Sequence, residues 1–165
     1  MSLVQAERCR RIARRGLAGL GGTAVTLGVA VAATLPTATA QATPPADVTF
    51  SLQGVINGPQ TIAVTFTVSG AVSDSGTYTE RFRFAGQTAH VTKVLVGGAG
   101  TIRLDARAVV VPSGPTTIGF AAGNWVVTGG TGAYAGLHAE GSSTGSADLA
   151  SGAIEITHSG SAHFE

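Results

Sequence analysis

The sequence predicts an all-β protein, an eight-stranded antiparallel up-and-down β-barrel over residues 48–165. Three observations carry that prediction. Apolar residues recur with a period of two in short runs, which puts them on one face of a strand. Clusters of Gly, Pro, Asn, Asp and Ser separate those runs at short, even intervals. Beyond residue 48 no stretch of useful length repeats its apolar residues with the helical period. Short connections favour a meander, and closing it at eight strands removes edges that would otherwise template aggregation. An interior of that size holds side chains or one small ligand.

The elements follow in order. Val48, Phe50 and Leu52 alternate with Thr49, Ser51 and Gln53, and Asn57-Gly58-Pro59 turns the chain. Ile62, Val64, Phe66, Val68 and Val72 mark the clearest strand. Ser73-Asp74-Ser75-Gly76 leads into Tyr78, Glu80, Phe82 and Phe84 on one face, with Thr77, Thr79, Arg81 and Arg83 on the other. After Ala85-Gly86-Gln87 comes a strand from His90 to Val96 whose inward face alternation leaves unassigned. Gly97-Gly98-Ala99-Gly100 separates it from Ile102, Leu104, Ala106 and Ala108. Pro112-Ser113-Gly114-Pro115 precedes a strand through Phe120 to Thr128. The last two strands run through Leu137 to Thr144 and Ala153 to Ala162.

Residues 1–40 read as a signal peptide and 41–47 as a linker before the barrel domain, 48–165. Arg8, Arg10, Arg11, Arg14 and Arg15 precede an uncharged stretch from Leu17 to Leu35, which ends at Pro36 and Ala38-Thr39-Ala40. A basic start, an apolar run and a small-x-small site are the parts of a secretory signal. Gly19, Gly21, Gly22, Thr23 and Thr26 dilute that run below what a spanning helix needs. The expected location is therefore extracellular, with no stable membrane insertion after cleavage. Arg14-Arg15 would also suit twin-arginine export. Beyond residue 40 five basic side chains face eight acidic ones, a net charge of −3. The leader thus owns the whole chain's positive balance, and nucleic acid is not an expected partner. The leader also holds Cys9, the single cysteine, which leaves the barrel without a disulfide, thiol nucleophile or cysteine metal site.

The stretch from Trp125 to Gly141, WVVTGGTGAYAGLHAEG, is the most distinctive. Gly129, Gly130 and Gly132 allow positive φ and close backbone approach at a tight corner. Tyr134 can fold back to plug one end, and Gly136 and Gly141 let the next strand bend. This segment resembles one typical of the allene oxide cyclase and dirigent barrel superfamily: a strand, then GGTG, an aromatic and G-x-x-x-x-G. The resemblance extends over residues 48–163. It implies a barrel whose cavity holds a small apolar ligand, or cyclises or isomerises a hydrophobic substrate. The cyclase's active-site cysteine has no counterpart among residues 41–165, which sets binding ahead of catalysis. Gly130-Thr131-Gly132-Ala133-Tyr134-Ala135 also spells a dinucleotide fingerprint, but the Gly- and Ser-rich chain that follows does not suit the helix that motif must open.

Candidate site residues follow from the faces. Glu80 is the inward carboxylate, flanked by Tyr78 and Phe82, and a carboxylate among aromatics is a candidate general acid or base. Its rival reading is a rim residue, solvated or paired with an arginine. Tyr78, Phe82, Phe84 and Trp125 are the expected cavity lining. A Glu80–His90 pair stays open. His138, Glu140, His158 and His163 read as solvated surface residues rather than a metal site, because no second anchor is evident. Gly141-Ser142-Ser143-Thr144-Gly145 has the letters of a nucleophile elbow without the α/β context that elbow requires. Arg81, Arg83, Arg103 and Arg107 share outer faces, as a stripe for an acidic surface polymer or as edge protection. No cofactor or metal is expected. Nothing in the pattern argues for a particular oligomeric interface.

Overall fold

The computed structural model describes residues 42–57 and 60–165; the expected leader lies outside them. Eight strands follow one another: β1 (Ala46–Asn57), β2 (Gln60–Gly70), β3 (Asp74–Ala85), β4 (Thr88–Gly97), β5 (Thr101–Pro112), β6 (Thr117–Gly130), β7 (Leu137–Asp148) and β8 (Ala153–Phe164). A single 3-10 turn, Gly132–Tyr134, interrupts them. Each strand pairs antiparallel with the next, and β8 pairs with β1 from Ala46–Ala162 to Val55–Ala153, closing the barrel. The strands at the seam therefore have ladder partners on both sides. The expected linker is shorter than 41–47, because β1 begins at Ala46 and Thr43 already exchanges hydrogen bonds with Phe164.

Alternation places the core. Val48, Phe50, Leu52, Phe66, Val68, Tyr78, Leu95, Ile102, Leu104, Trp125 and Val127 are buried inside the barrel. The face of β4 that the sequence left open is settled by its neighbours. Leu95 sits opposite Tyr78 and Ile102, so Ala89, Val91, Lys93 and Leu95 face inward. In β6 the alternation breaks. A bulge between Phe120 and Gly123, with Ala122 at φ 49°, inserts a residue, so Phe120 and Trp125 both face inward despite their odd spacing.

One ladder is much shorter than the others. Among the described residues β2 and β3 pair only where Thr65–Val68 meet Asp74–Thr77, so from Tyr78 to Ala85 β3 has no ladder partner there on that flank. The C-terminal ends of β1, β3, β5 and β7 lie at the same end, which is the mouth. The loops after β2, β4 and β6 gather at the other.

Candidate functional site

The end opposite the mouth is shut by one tyrosine and one aspartate. Gly132 at φ 63° and Gly136 at φ 75° bracket the corner between β6 and β7, which folds Tyr134 back into the core. A side chain on Gly130 would meet the Tyr134 carbonyl oxygen at 2.1 Å, so glycine permits that return. The Tyr134 hydroxyl donates to Asp74 Oδ2 at 2.6 Å. The same carboxylate accepts from the backbone N–H groups of Ser75, Gly98 and Ala99 at 2.8, 3.1 and 3.1 Å. Asp74 thereby ties together the start of β3, the β4–β5 turn and the β6–β7 corner. Those hydrogen bonds, the Tyr134 hydroxyl first, hold its carboxyl down at about 2. Burial, and then the facing carboxylate, push the Tyr134 phenol up to about 12.

Midway along the barrel lies a polar layer. Glu80 and Lys93 are direct cross-strand neighbours on β3 and β4, and Lys93 donates to the Glu80 carboxylate. Their side chains are 4% and 1% exposed. The Lys93 ammonium also sits 5.1 Å from the centroid of the Tyr78 ring, a cation–π distance. Across the barrel Ser143 and His158 are cross-strand neighbours on β7 and β8, and the Ser143 hydroxyl bonds to His158 Nδ1. The Trp125 ring packs 5.7 Å from His158 and 5.2 Å from Phe50. Its Nε1 reaches Ser159 O, two strands away, at 3.4 Å.

Burial shapes the charges of this layer. It pushes the His158 imidazole down to about 3, helped by the positive charge on Lys93, so His158 is neutral at ordinary pH. It lowers the Lys93 ammonium against the opposing pull of Glu80, and it raises the Tyr78 phenol well above its usual range. Two polar atoms in the layer, Tyr78 Oη and His158 Nε2, are buried and make no hydrogen bond among the described residues. Buried polar atoms are ordinarily satisfied, so such orphans are where a bound group would be read first.

Above the layer, toward the mouth, the barrel holds a cavity of about 90 Å³. Glu80, Lys93, Ser143 and His158 form its polar floor. Its walls are mostly apolar, with Phe82, Phe84, Val91, Phe120, Ile154 and Ile156 among them; Arg107, exposed and bonded to Asn124, also borders it. Phe84 is 60% exposed on the rim and stacks edge-on against Phe82 at 5.7 Å. Both lie on the part of β3 that lacks its β2 ladder.

The sequence-derived candidates divide. Glu80, Phe82 and Phe84 reach the cavity as expected from their face. Tyr78 and Trp125 do not line it; they are buried beneath its floor. Glu80 is not a rim residue: its side chain is 4% exposed and it pairs with Lys93. His90 stands on the outer face, opposite Arg83 and Arg107. His138 and Glu140 are exposed, and His138 stacks on His163 at 5.3 Å and meets Glu165 at 3.3 Å. His158, read with them as a surface residue, is 1% exposed, because its strand phase matches Ile154 and Ile156 on the inner wall. At the corner, Gly129 has neither a positive φ nor a close neighbour, so the strain it was expected to relieve falls on Gly132 and Gly136. Arg81, Arg83, Arg103 and Arg107 all lie exposed on the outer face, and Arg107 Nε donates to Asn124 Oδ1 at 3.0 Å. Among the described residues no group of three or more His, Cys, Asp or Glu converges as a metal would require.

Sequence reasoning missed Lys93, and it met Ser143 only as the central serine of the nucleophile-elbow letters. Lys93 is the only lysine of the chain, on the strand whose inward face was left unassigned. Two like-phased neighbours, Val91 and Leu95, were the available signal. Chemically the floor offers a carboxylate, an amine, a neutral imidazole and a hydroxyl in a space shielded from water. The Ser143–His158 pair is a poor nucleophile and base, since an imidazole held near 3 takes a proton weakly at neutral pH. Comparison of the chain with protein-family models, curated proteins and solved structures finds no match.

Proposed function

We propose that this chain is an exported β-barrel that binds a small, mostly apolar molecule through the mouth of the barrel. The observation that carries the reading is the cavity itself: apolar walls over a floor of Glu80, Lys93, Ser143 and His158, with His158 Nε2 left without a partner. Apolar walls with a few convergent polar groups are the usual composition of a small-molecule site. The floor is electrically balanced, because Glu80 and Lys93 offset each other and His158 is neutral. A ligand bringing its own charge would add an unpaired ion to a buried site, which is costly. The fitting ligand is therefore neutral, with one hydrogen-bonding group for His158 and an apolar body against the aromatic walls. At about 90 Å³ the cavity takes the volume of about three water molecules, so a larger ligand extends past Phe84. The resemblance of the Trp125–Gly141 segment to barrels that hold hydrophobic molecules supports the same reading, and the basic, apolar leader supports export.

The test is ligand capture with a blocked control. The protein is incubated with an apolar extract, re-isolated, and its bound small molecules are identified by mass spectrometry. Ala108→Trp, which fills the mouth from an inner-wall position, should abolish capture while the barrel still melts cooperatively. Equal capture by both proteins would remove the cavity from the proposal.

A further inference from the structure

We propose that Lys93 is a covalent site: its amine condenses with a small apolar aldehyde or ketone to form an imine inside the barrel, with Glu80 carrying the proton. This rests on the reading that the mouth admits small apolar molecules.

The composition singles out the residue. Every other cation of the barrel is an arginine, and the four arginines are exposed, whereas the one lysine is buried. A guanidinium would serve an ion pair at least as well, since it is more weakly hydrated and forks onto a carboxylate. What a lysine has and an arginine lacks is an amine that can lose its proton and attack a carbonyl carbon. Burying an ammonium costs several kcal/mol, and a hydrophobic pair of similar size would fill the same space without that cost.

The surroundings suit the reaction. Lys93 lines the cavity and holds the Glu80 carboxylate as its hydrogen-bond partner. Burial lowers the ammonium, which brings the free amine closer to neutral pH. The apolar walls exclude the water that would hydrolyse an imine. His158 Nε2, on the facing wall, is a vacant polar atom for the oxygen of the incoming group.

The step balances as follows. Glu80 takes a proton from the Lys93 ammonium, and the amine lone pair forms the N–C bond as the carbonyl π pair moves to oxygen. Glu80 returns its proton to that oxygen, giving a carbinolamine that is still protonated on nitrogen and faces the restored carboxylate. Glu80 then takes one of the two nitrogen protons and delivers it to the hydroxyl, and the freed nitrogen lone pair forms the C=N bond as the C–O bond breaks and water leaves. In sum, ammonium and carbonyl become iminium and water, with the positive charge still facing Glu80.

The test uses the full chain with butanal and cyanoborohydride near neutral pH, followed by peptide mass spectrometry. A butyl group on Lys93 is expected, added faster in the folded protein than in guanidinium, since burial lowers the ammonium and raises the share of free amine. Glu80→Gln should slow trapping about tenfold. Butan-1-ol, which cannot condense, is titrated in parallel while the His158 imidazole nitrogen shifts are followed by NMR. An alcohol-induced shift without trapping at Lys93 overturns the covalent proposal and leaves the binding reading intact. Neither shift nor trapping overturns both. Wild-type trapping rates in Glu80→Gln, with the alcohol shift retained, remove Glu80 as proton carrier.

Discussion

The two ends of this barrel are built from opposite materials. At the shut end a single carboxylate, Asp74, gathers Tyr134 and three backbone N–H groups, and every polar atom in that lock has a partner. At the mouth, aromatic and aliphatic side chains surround a space rather than filling it, over a buried ion pair and two orphaned polar atoms. Phe84 and Leu149, 60% and 61% exposed, stand at the mouth. The contrast shows where stability is concentrated and where it has been given up. A satisfied lock and close-packed core hold the fold, while the costly polar floor and open apolar walls are what the proposed binding site would use.

The largest effect expected from breaking this comparison lies in the floor. Glu80→Leu leaves the Lys93 ammonium buried and unpaired and should cost about 3–5 kcal/mol in denaturant unfolding. Adding Lys93→Met should recover that loss and match or exceed wild-type stability, because an apolar pair needs no desolvation. A double variant as unstable as the single would show that the pair supports the fold rather than a site.

Next in size is the contrast in packing. Ile102→Ala, on the inner wall near the shut end, should lose about 2–5 kcal/mol. Phe84→Ala on the rim should change stability by no more than about 0.5 kcal/mol while weakening ligand capture. Equal losses at the two positions would mean that the mouth is packed as tightly as the far end.

The ends should also titrate in different windows. His158 is held at about 3 in the fold against 6.5 unfolded, so the unfolded chain binds the extra proton between those values. Its contribution is complete above pH 6.5 and falls by up to about 1.4 kcal/mol per pH unit as acid is added toward 3. His158→Phe should flatten that limb in unfolding measured across pH. Asp74, at about 2 against 3.8, contributes above pH 3.8 and loses its contribution only as pH falls toward 2. Tyr134→Phe, which removes the largest cause of that shift, should flatten the lower window alone.

Much of the barrel was legible because period-two alternation and turn chemistry are local. Val48, Phe50 and Leu52 declare their face without reference to any neighbour, and Tyr134 is announced by the glycines around it. The site was legible only in part. Glu80 could be placed inward from Tyr78 and Phe82, but its partner sits on β4, where Val91, Lys93 and Leu95 alternate with residues almost as apolar. Face assignment there needs the register between strands, which is a tertiary fact. His158 was misplaced because a histidine between Thr157 and Ser159 looks like surface, and only its phase with Ile154 and Ile156 shows otherwise. The bulge at Ala122 shifted β6 by one residue, which no periodic count anticipates.

The division of labour between the ends is tested most directly by following both in one NMR titration with a small neutral apolar alcohol. The His158 imidazole nitrogens report the floor, and the Tyr134 and Gly98 resonances report the shut end. Saturable shifts at His158, with Tyr134 and Gly98 unmoved, are the predicted result. No shift at His158, or equal shifts at both ends, would contradict the assignment of the mouth as the binding site.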